Sequence, residues 1–298
     1  FSTAVGLRLP IVMSVVNRYV GAPINIHCDH SDSMYCRDLG WIQIFCETNQ
    51  ECYENTLLAV RLAEKVNLPV MVLQDGFITS HCVENVEILE DKLAKDFLGE
   101  YKPKFSLLDT DKPVAIGPIE LQDYLFETQY QAVESSMQVI YEYSKIGKEL
   151  SSITNNKYDI FESYELDDAD AVIIVSSSTA GTVKSVIDRM RKENKKVGLL
   201  KIKLYRPFPY KEIAEALNKL NSKHFAVMDR AISKGALPPL YTDILSSCFM
   251  LSKRPKIQSI VFGLGGREIT EKEIENIFNN LLNNKINENE IEYVGLRK

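Results

Sequence analysis

MSVVNRYVGAPINIHCDHSDSMYCRDLGWIQIFCETNQE, residues 13–51, decides how the chain is read. A short apolar strand over residues 9–16 delivers Asn17 and Arg18 to its C-terminal end and then opens into a polar loop. That loop holds two of the four histidines, His27 and His30, together with Cys28, Cys36, Arg37 and the carboxylates Asp29, Asp32 and Asp38. An apolar segment resumes at Trp41. In open parallel sheets, ligands sit in the crevice beyond the carboxyl ends of the strands, so a long polar loop in that place reads as a site. A solvated surface loop is the plainer reading, and composition alone does not separate the two.

Downstream, residues 41–46 are a second candidate strand. Thr48 and Glu51 then make the T-x-x-E pattern of a helix start, and Cys52, Thr56, Ala59, Val60, Ala63 and Val66 recur at three- and four-residue steps. LPVMVLQDG, residues 68–76, repeats the Leu-Pro entry of the first strand, with proline where a sheet tolerates it. Strand, helix, strand in this rhythm predicts a parallel sheet with a right-handed crossover. The later strand empties into Asp75-Gly76-Phe77 and then Thr79, Ser80 and His81, so the two polar loops are expected to face one crevice. Upstream, FSTAVG reads as the end of a helix closed by Gly6, which predicts that the opening strand and helix units of this domain lie before Phe1.

Residues 91–123 carry three prolines and no period, which predicts an extended connector. A long helix follows to about residue 150, with Leu125, Ala132, Val133, Met137, Ile140, Ile146 and Leu150 on one face, a stripe suited to core or subunit contact. From there strands are expected at 171–177, 197–205, 224–230 and 257–265. They alternate with helices at 179–192, 210–220 and 240–251 and a last helix capped by Thr270 and Glu273 and ending near 282. The Asn-rich NNLLNNKINENE reads as a polar turn before a final strand, IEYVGL. The expected fold is α/β throughout, with one domain over 1–122, a linking helix over 123–155 and a doubly wound domain over 156–298.

Bulk composition narrows the classes. With 298 residues, 45% hydrophobic and 26% charged, the chain can bury a large core. A net charge of −6 without any basic stripe argues against a nucleic-acid or anionic-membrane partner. No apolar run approaches the roughly eighteen residues of a membrane span, and no signal peptide is visible, so the expected location is the cytoplasm. The cysteines, at 28, 36, 46, 52, 82 and 248, contain no C-x-x-C, so no iron–sulfur or zinc site built on cysteine is expected. Scattered thiols fit a reducing compartment.

Several motifs keep two readings each. Ser176-Ser177-Ser178-Thr179-Ala180-Gly181 follows a strand and opens a helix, the geometry of a phosphate cradle and equally of a hydroxyl-rich helix cap. Gly263, Gly265 and Gly266 end a strand and suit a tight turn or a site. Asp229-Arg230 stands at another strand end as an ordinary ion pair or as functional groups. His27, His30 and His81 could move protons near neutral pH or simply satisfy hydrogen bonds. Arg18, directly after a buried strand, could hold a carboxylate with two parallel bonds or pair internally with Asp29 or Asp32.

Taken together, several separated blocks carry a resemblance. They are Leu7-Arg8-Leu9-Pro10-Ile11-Val12-Met13, Val16-Asn17-Arg18, Ala22-Pro23-Ile24-Asn25-Ile26, Asp29-His30-Ser31-Asp32-Ser33, Arg37-Asp38-Leu39-Gly40-Trp41-Ile42-Gln43 and Asp75-Gly76-Phe77-Ile78. In this order they closely resemble the alpha subunits of pyruvate:ferredoxin oxidoreductases, members of the thiamine diphosphate-dependent 2-oxoacid:ferredoxin oxidoreductase family. Arg206-Pro207-Phe208-Pro209, Val227-Met228-Asp229-Arg230 and Gly263-Leu264-Gly265-Gly266-Arg267-Glu268 resemble the transketolase C-terminal-like domain that follows in that family.

The resemblance implies the C-terminal portion of a pyrimidine-type thiamine-binding domain followed by that doubly wound domain. It implies oxidative decarboxylation of pyruvate to acetyl-CoA and CO2, with ferredoxin taking the electrons. Arg18 matches the family arginine that binds the carboxylate of pyruvate, and Asn17, Asp29, His30 and Asp32 are its candidate neighbours in an active-site loop. The glutamate that activates thiamine is expected upstream of Phe1. Thiamine diphosphate and its Mg2+ are expected to be shared with a beta subunit, whose Gly-Asp-Gly motif has no counterpart here. Coenzyme A as co-substrate and the iron–sulfur clusters are expected on partner subunits, in a hetero-oligomer of alpha, beta, gamma and delta chains served by ferredoxin. Branched-chain and 2-oxoglutarate enzymes look dissimilar across 18–41, which favours pyruvate. One methylene is worth only about 1–3 kcal/mol of discrimination, so 2-oxobutyrate stays an alternative. A non-catalytic scaffold and a nucleotide-binding protein using the 176–181 turn are the rival readings.

Overall fold

The structure, a computed structural model, describes residues 1–220 and 224–297. The first half opens with α1 (Ser2–Gly6) and strand β1 (Val12–Asn17). The polar loop contains a short helix, α2 (Ser31–Tyr35), before β2 (Ile42–Phe45). Then come α3 (Asn49–Val66), β3 (Val70–Asp75), α4 (Asp91–Leu98) and the long α5 (Leu125–Thr154). Gly6 does not close α1. The left-handed residue is Arg8, at φ 57°, and its guanidinium is held by the carbonyls of Val66, Asn67 and Gln131.

The second half runs β4 (Phe161–Tyr164), β5 (Ala171–Ser176), α6 (Thr179–Lys192), β6 (Val197–Ile202), β7 (Leu204–Arg206) and α7 (Tyr210–Asn218). It closes with β8 (His224–Asp229), α8 (Pro239–Cys248), β9 (Lys256–Val261), α9 (Glu271–Leu282) and β10 (Ile291–Tyr293). These alternating units make the six-stranded sheet β10-β9-β8-β5-β6-β4, parallel except for β4. The first sheet has the order β1-β3-β2-β7, with β1 and β2 both parallel to β3.

Four details depart from the sequence reading. The connector begins with α4, whose Phe97 is buried under the Arg61 guanidinium, 4.7 Å away. Strand β4 was not expected, since FESY is too short and too polar to announce itself, yet it covers β6 as an antiparallel edge. Part of the Asn-rich stretch is helical, because Ile274, Ile277, Phe278 and Leu281 carry the buried face of α9 through Asn279 and Asn280. The expected strand 197–205 breaks at Lys203, and β7, Leu204–Arg206, leaves the second sheet to pair antiparallel with β2 of the first.

That break joins the two halves. A single cluster of buried apolar side chains runs from Ile44, Leu62 and Leu73 through Tyr205 to Ile213 and Phe225. Helix α3 buries Leu58, Ala59, Leu62, Ala63 and Val66, while Cys52, Thr56 and Val60 of the expected face are half-buried. Wedged between the sheet and α5, α3 covers an arc wider than one stripe. Of the expected α5 stripe only Ile146 and Leu150 are core, joined there by Val139 and Tyr143, whereas Leu125, Val133 and Met137 are exposed.

Polar groups complete the junction. Residues two apart on a strand share a face. Lys201 and Lys203 accordingly both meet Glu51 at the start of α3, even though the strand breaks at Lys203. Lys201 Nζ, almost wholly buried, bonds Glu47 (2.5 Å), Glu51 (2.8 Å) and Glu162 (3.0 Å). Lys184 reaches Glu47 and Glu162, and Lys203 reaches Glu51. Burial would raise the Glu51 carboxyl, but Lys203 and Lys201 pull it down to about 2. The T-x-x-E box is therefore only half formed: Thr48 Oγ1 accepts from Glu51 N, while the Glu51 carboxylate turns to Glu47 N and Lys201. Removing one partner of a buried ionic cluster leaves charge uncompensated, so Lys201→Met is expected to destabilise the chain by roughly 3 kcal/mol in urea unfolding. A loss below about 0.5 kcal/mol would make the cluster a surface-type network.

Candidate functional site

The loops after β1 and β3 do meet, His30 bonding Asp75 and the ring of His27 lying beside that of Phe77. β1 and β3 are in parallel register with Asn17 opposite Asp75, so these two side chains leave the sheet on the same face. Gly76 is required just there, because a Cβ would stand 2.5 Å from the carbonyl oxygen of Asn17. Asp75 is fully buried. Its Oδ1 bonds His30 Nε2 at 2.8 Å, and its Oδ2 accepts from Arg230 Nη1 (3.1 Å), Ser178 N (3.2 Å) and Ser178 Oγ (2.5 Å). Burial would raise this carboxyl, but His30 and Arg230 outweigh it and hold it below the usual carboxylate range.

The loop that carries Arg18 is pinned residue by residue. Arg18 N donates to Asp32 Oδ2 (3.1 Å), Tyr19 N to the carbonyl of His27 (3.1 Å) and Val20 N to Ser31 Oγ (2.8 Å). Asp29 Oδ1 in turn accepts from Ser31 N and Ser31 Oγ, and Asp32 Oδ1 from Ser33 N. Burial pushes the Asp32 carboxyl up to about 6 against these N–H bonds. Among the described residues the Arg18 guanidinium has neither an ion pair nor a hydrogen bond, and it stands exposed. The expected alternative, a pair with Asp29 or Asp32, is not what the loop forms, because both carboxylates are turned to its own backbone and hydroxyls. Asn17 is fully buried, and neither polar atom of its amide has a partner among the described residues.

The remaining histidines lie outside this buried set. His27 and His81 are exposed and flank Phe77, with ring centroids 4.9 Å and 5.9 Å from it. Phe77 holds φ 61°, an unfavourable conformation for an aromatic residue and one that tends to persist at functional sites. In the same two loops the side chains of Val16, Val20, Ile24, Ile26 and Ile78 are also exposed.

The motifs of the second half resolve into contacts with these loops. At the 176–181 turn, Ser178 gives its N–H and hydroxyl to Asp75, and Ser177 Oγ donates to the carbonyl of Cys46. The place of a phosphate is thus taken by the chain's own carboxylate. Gly266, at φ 79°, donates its N–H to the carbonyl of Cys28 at 2.6 Å, and a Cβ there would lie 2.5 Å from that of His27. Asp229 and Arg230 do not pair with one another. Asp229 accepts from Leu240 N and Tyr241 N at the start of α8, and burial pushes its carboxyl up to about 7.

Two clusters have the composition of metal sites, Cys28 with His30 and Asp75, and Glu47 with Glu51 and Glu162. Each already holds a cation of this chain, Arg230 beside Cys28 and Asp75, and Lys201 among the glutamates. A divalent ion would have to displace it.

A solved 2-oxoglutarate:ferredoxin oxidoreductase from Magnetococcus marinus, with 2-oxoglutarate, coenzyme A and succinyl-CoA bound, matches the fold with a TM-score of 0.63 at 18% identity, covering 94% of this chain and half of that one. Residues 1–147 match the family described as pyruvate flavodoxin/ferredoxin oxidoreductase, thiamine diphosphate-binding, and residues 169–274 match pyruvate:ferredoxin oxidoreductase core domain II. The pyruvate synthase subunit PorA of Thermotoga maritima is 48% identical over 99% of this chain and 75% of its own length, and that of Methanocaldococcus jannaschii 42% over the same shares. The ketoisovalerate oxidoreductase subunit VorA of Pyrococcus horikoshii is 35% identical over 92% of this chain and 69% of its own. The chain belongs to the pyruvate:ferredoxin oxidoreductase family.

Asp229 gives a pH dependence with a definite sign. Its carboxyl titrates near 7 folded and near 3.8 unfolded, so between these values the folded state binds more protons. Its contribution to stability is therefore gained as pH falls from above 7 towards 4, and withheld at pH 8. Asp229→Asn removes that slope, so the melting temperature of the variant relative to wild type is expected to be more favourable at pH 8 than at pH 5. A difference that does not change with pH would place the Asp229 titration outside that window.

Proposed function

We propose that this chain is the alpha-type subunit of a pyruvate:ferredoxin oxidoreductase, acting in the cytoplasm with beta, gamma and delta partners. The complex oxidatively decarboxylates pyruvate to acetyl-CoA and CO2 and passes the electrons to ferredoxin. Family membership supports this, and so does the order of identities, with relatives named pyruvate synthase at 48% and 42% and the ketoisovalerate relative at 35%. The observation that carries the residue-level part is the unpartnered, exposed Arg18 guanidinium at the end of β1, in a loop whose carboxylates are otherwise engaged.

Thiamine diphosphate fits this surface by its rings and not by its phosphates. Exposed Val16, Val20, Phe77 and Ile78 offer an apolar wall, whereas the N-terminus of α6 is taken by Asp75. The diphosphate and Mg2+ are accordingly assigned to the beta subunit, and the iron–sulfur clusters and coenzyme A site to partner subunits. When bound, the cofactor supplies the electron sink that lets a 2-oxo acid lose CO2. The residues of this chain bind and orient. Arg18 grips the substrate carboxylate through two parallel N–H bonds, and the apolar wall excludes water and so strengthens that pair. Asp32, through its hydrogen bond from Arg18 N, fixes where the guanidinium starts.

In the assembled complex, Arg18→Ala is expected to lower kcat/KM for pyruvate by roughly 30- to 1000-fold, about 2–4 kcal/mol, with little change in thiamine affinity. Arg18→Lys should recover only part, because an ammonium restores the charge and not the fork. Steady-state kinetics normalised to thiamine-loaded sites decide. A value within a factor of about 3 of wild type, less than 1 kcal/mol, would remove Arg18 from the site.

Sharing of the chemistry among subunits gives a second expectation. The purified chain alone should bind no stoichiometric iron and should show no pyruvate-dependent dye reduction. Turnover by the isolated chain, or iron by elemental analysis, would contradict that division.

A further inference from the structure

The strand order of the second sheet reverses between β8 and β5: β6 follows β5 on one side, and β9 and β10 follow β8 on the other. In doubly wound sheets the crevice beyond the carboxyl ends at such a reversal is where anionic ligands bind, against a helix N-terminus. Here the crevice is lined by the α6 start after β5 and by Arg230 after β8. Arg230 is only 4% exposed, and its Nε has no partner among the described residues. What occupies the crevice is Asp75, brought from the other sheet, with one oxygen on Ser178 N, Ser178 Oγ and Arg230 Nη1 and the other on His30 Nε2.

We propose that the crevice of the second domain is a built carboxylate-binding site whose resident ligand is Asp75. Through this ligand the second domain holds the Arg18 loop in its working position. Asp75 and Arg230 are then positioning residues for the oxo-acid reaction, a second step that rests on the reading of Arg18 given above.

The bonds are those of a bound anion rather than of a surface pair. Three donors of the second domain converge on one oxygen, and two of them belong to a single residue at a fourteen-residue helix start. The guanidinium has further donor capacity in its buried Nε. From Asp75 the constraint runs into the loop. His30 is held by its ring on Asp75 and by its N–H on the carbonyl of Arg230 (2.8 Å). His30 begins α2, whose Asp32 receives Arg18 N. Losing the carboxylate frees the ring of His30 and leaves Arg230 buried beside Cys28 without its counter-charge, so the loop and the second domain come apart at the same place.

Chemical rescue tests this. Asp75→Ala leaves the donors in place and opens room for a carboxylate the size of formate. The variant chain is expected to melt at least about 5 °C below wild type. Sodium formate in the tens of millimolar should restore half or more of that loss, while equimolar formamide, its neutral counterpart, and sodium chloride do not. A double variant with Arg230→Met should not respond to formate. Equal effects of formate and formamide, no recovery, or the same formate shift in wild type would overturn the anion site. Should Asp75→Ala be insoluble, soluble yield on refolding with formate against formamide gives the same comparison, and aggregation in both overturns the proposal. In the assembled complex, Asp75→Ala should raise the pyruvate KM more than it lowers kcat, with formate reversing the KM. Formate-dependent melting with an unchanged KM would overturn the positioning step alone. If Arg18→Ala leaves kcat/KM intact, the reading of Arg18 fails while the melting comparison still decides the site.

Discussion

A carboxylate with no exposure to water organises this molecule. Moving a carboxylate out of water costs several kcal/mol unless its lone pairs are met by donors, and a cation close by decides whether it stays ionised. Asp75 meets both conditions only because both halves of the chain supply its donors, His30 from the loop after β1 and Ser178 and Arg230 from the second sheet. Neither side can withdraw without leaving a buried charge unpaired. Gly76, the parallel register of Asn17 with Asp75, and the close seat of Gly266 on the His27–Cys28 backbone all serve the same approach.

The second ionic layer repeats the polarity. Glu47 and Glu51 follow β2 and Asp75 ends β3, so the carboxyl edge of the first sheet is acidic where it meets the second half of the chain. Facing it are Lys184, Lys201, Lys203 and Arg230, together with the hydroxyls of Ser177 and Ser178. Three carboxylates and three ammonium groups balance in the glutamate cluster, counting Glu162 from β4. The break of the strand at Lys203 serves this junction, since the same few residues that supply Lys201 and Lys203 also send β7 into the first sheet. Polar pairing and shared backbone bonding thus fix one arrangement of the two domains, which apolar contact alone would specify less sharply.

Much of this was legible in the sequence and some of it could not be. Parallel β1 and β3, the four βα units of the second half and the meeting of the loops beyond Asn17 and Asp75 follow from periodicities and from Leu-Pro and Asp-Gly punctuation, which act within a few residues. The capping box at Thr270 formed as written, because nothing competes for Glu273 on an exposed helix start. The one at Thr48 formed by half, because Lys201, 150 positions away, takes the Glu51 carboxylate. The clasp on Asp75 lies beyond such signals. Ser178 is 103 positions away and Arg230 155, and no local spacing rule links them. What the sequence did carry was a hydroxyl-rich turn with the geometry of an anion site, and it was silent only about which anion. Short β4 and two-turn α4 were missed for a different reason: four and eight residues contain too few periods to outweigh the prolines and charges beside them.

The freedom of Arg18 follows from the same distribution of charge. At the junction Asp75, Glu47 and Glu51 each have a cation from across it, and the two acids nearest to Arg18 in the loop, Asp29 and Asp32, are engaged by N–H and hydroxyl donors of residues 18, 31 and 33. A guanidinium surrounded by spare carboxylates would collapse onto one of them and lose the geometry that a substrate needs. By committing those carboxylates to its own backbone, the loop keeps Arg18 unpaired yet fixed at its base. On the reading of Arg18 proposed above, solvent keeps its charge inexpensive until a ligand carboxylate binds beside the apolar wall. Binding then gains both the pair and its desolvated surroundings at once, which is the condition under which an arginine contributes most to orientation.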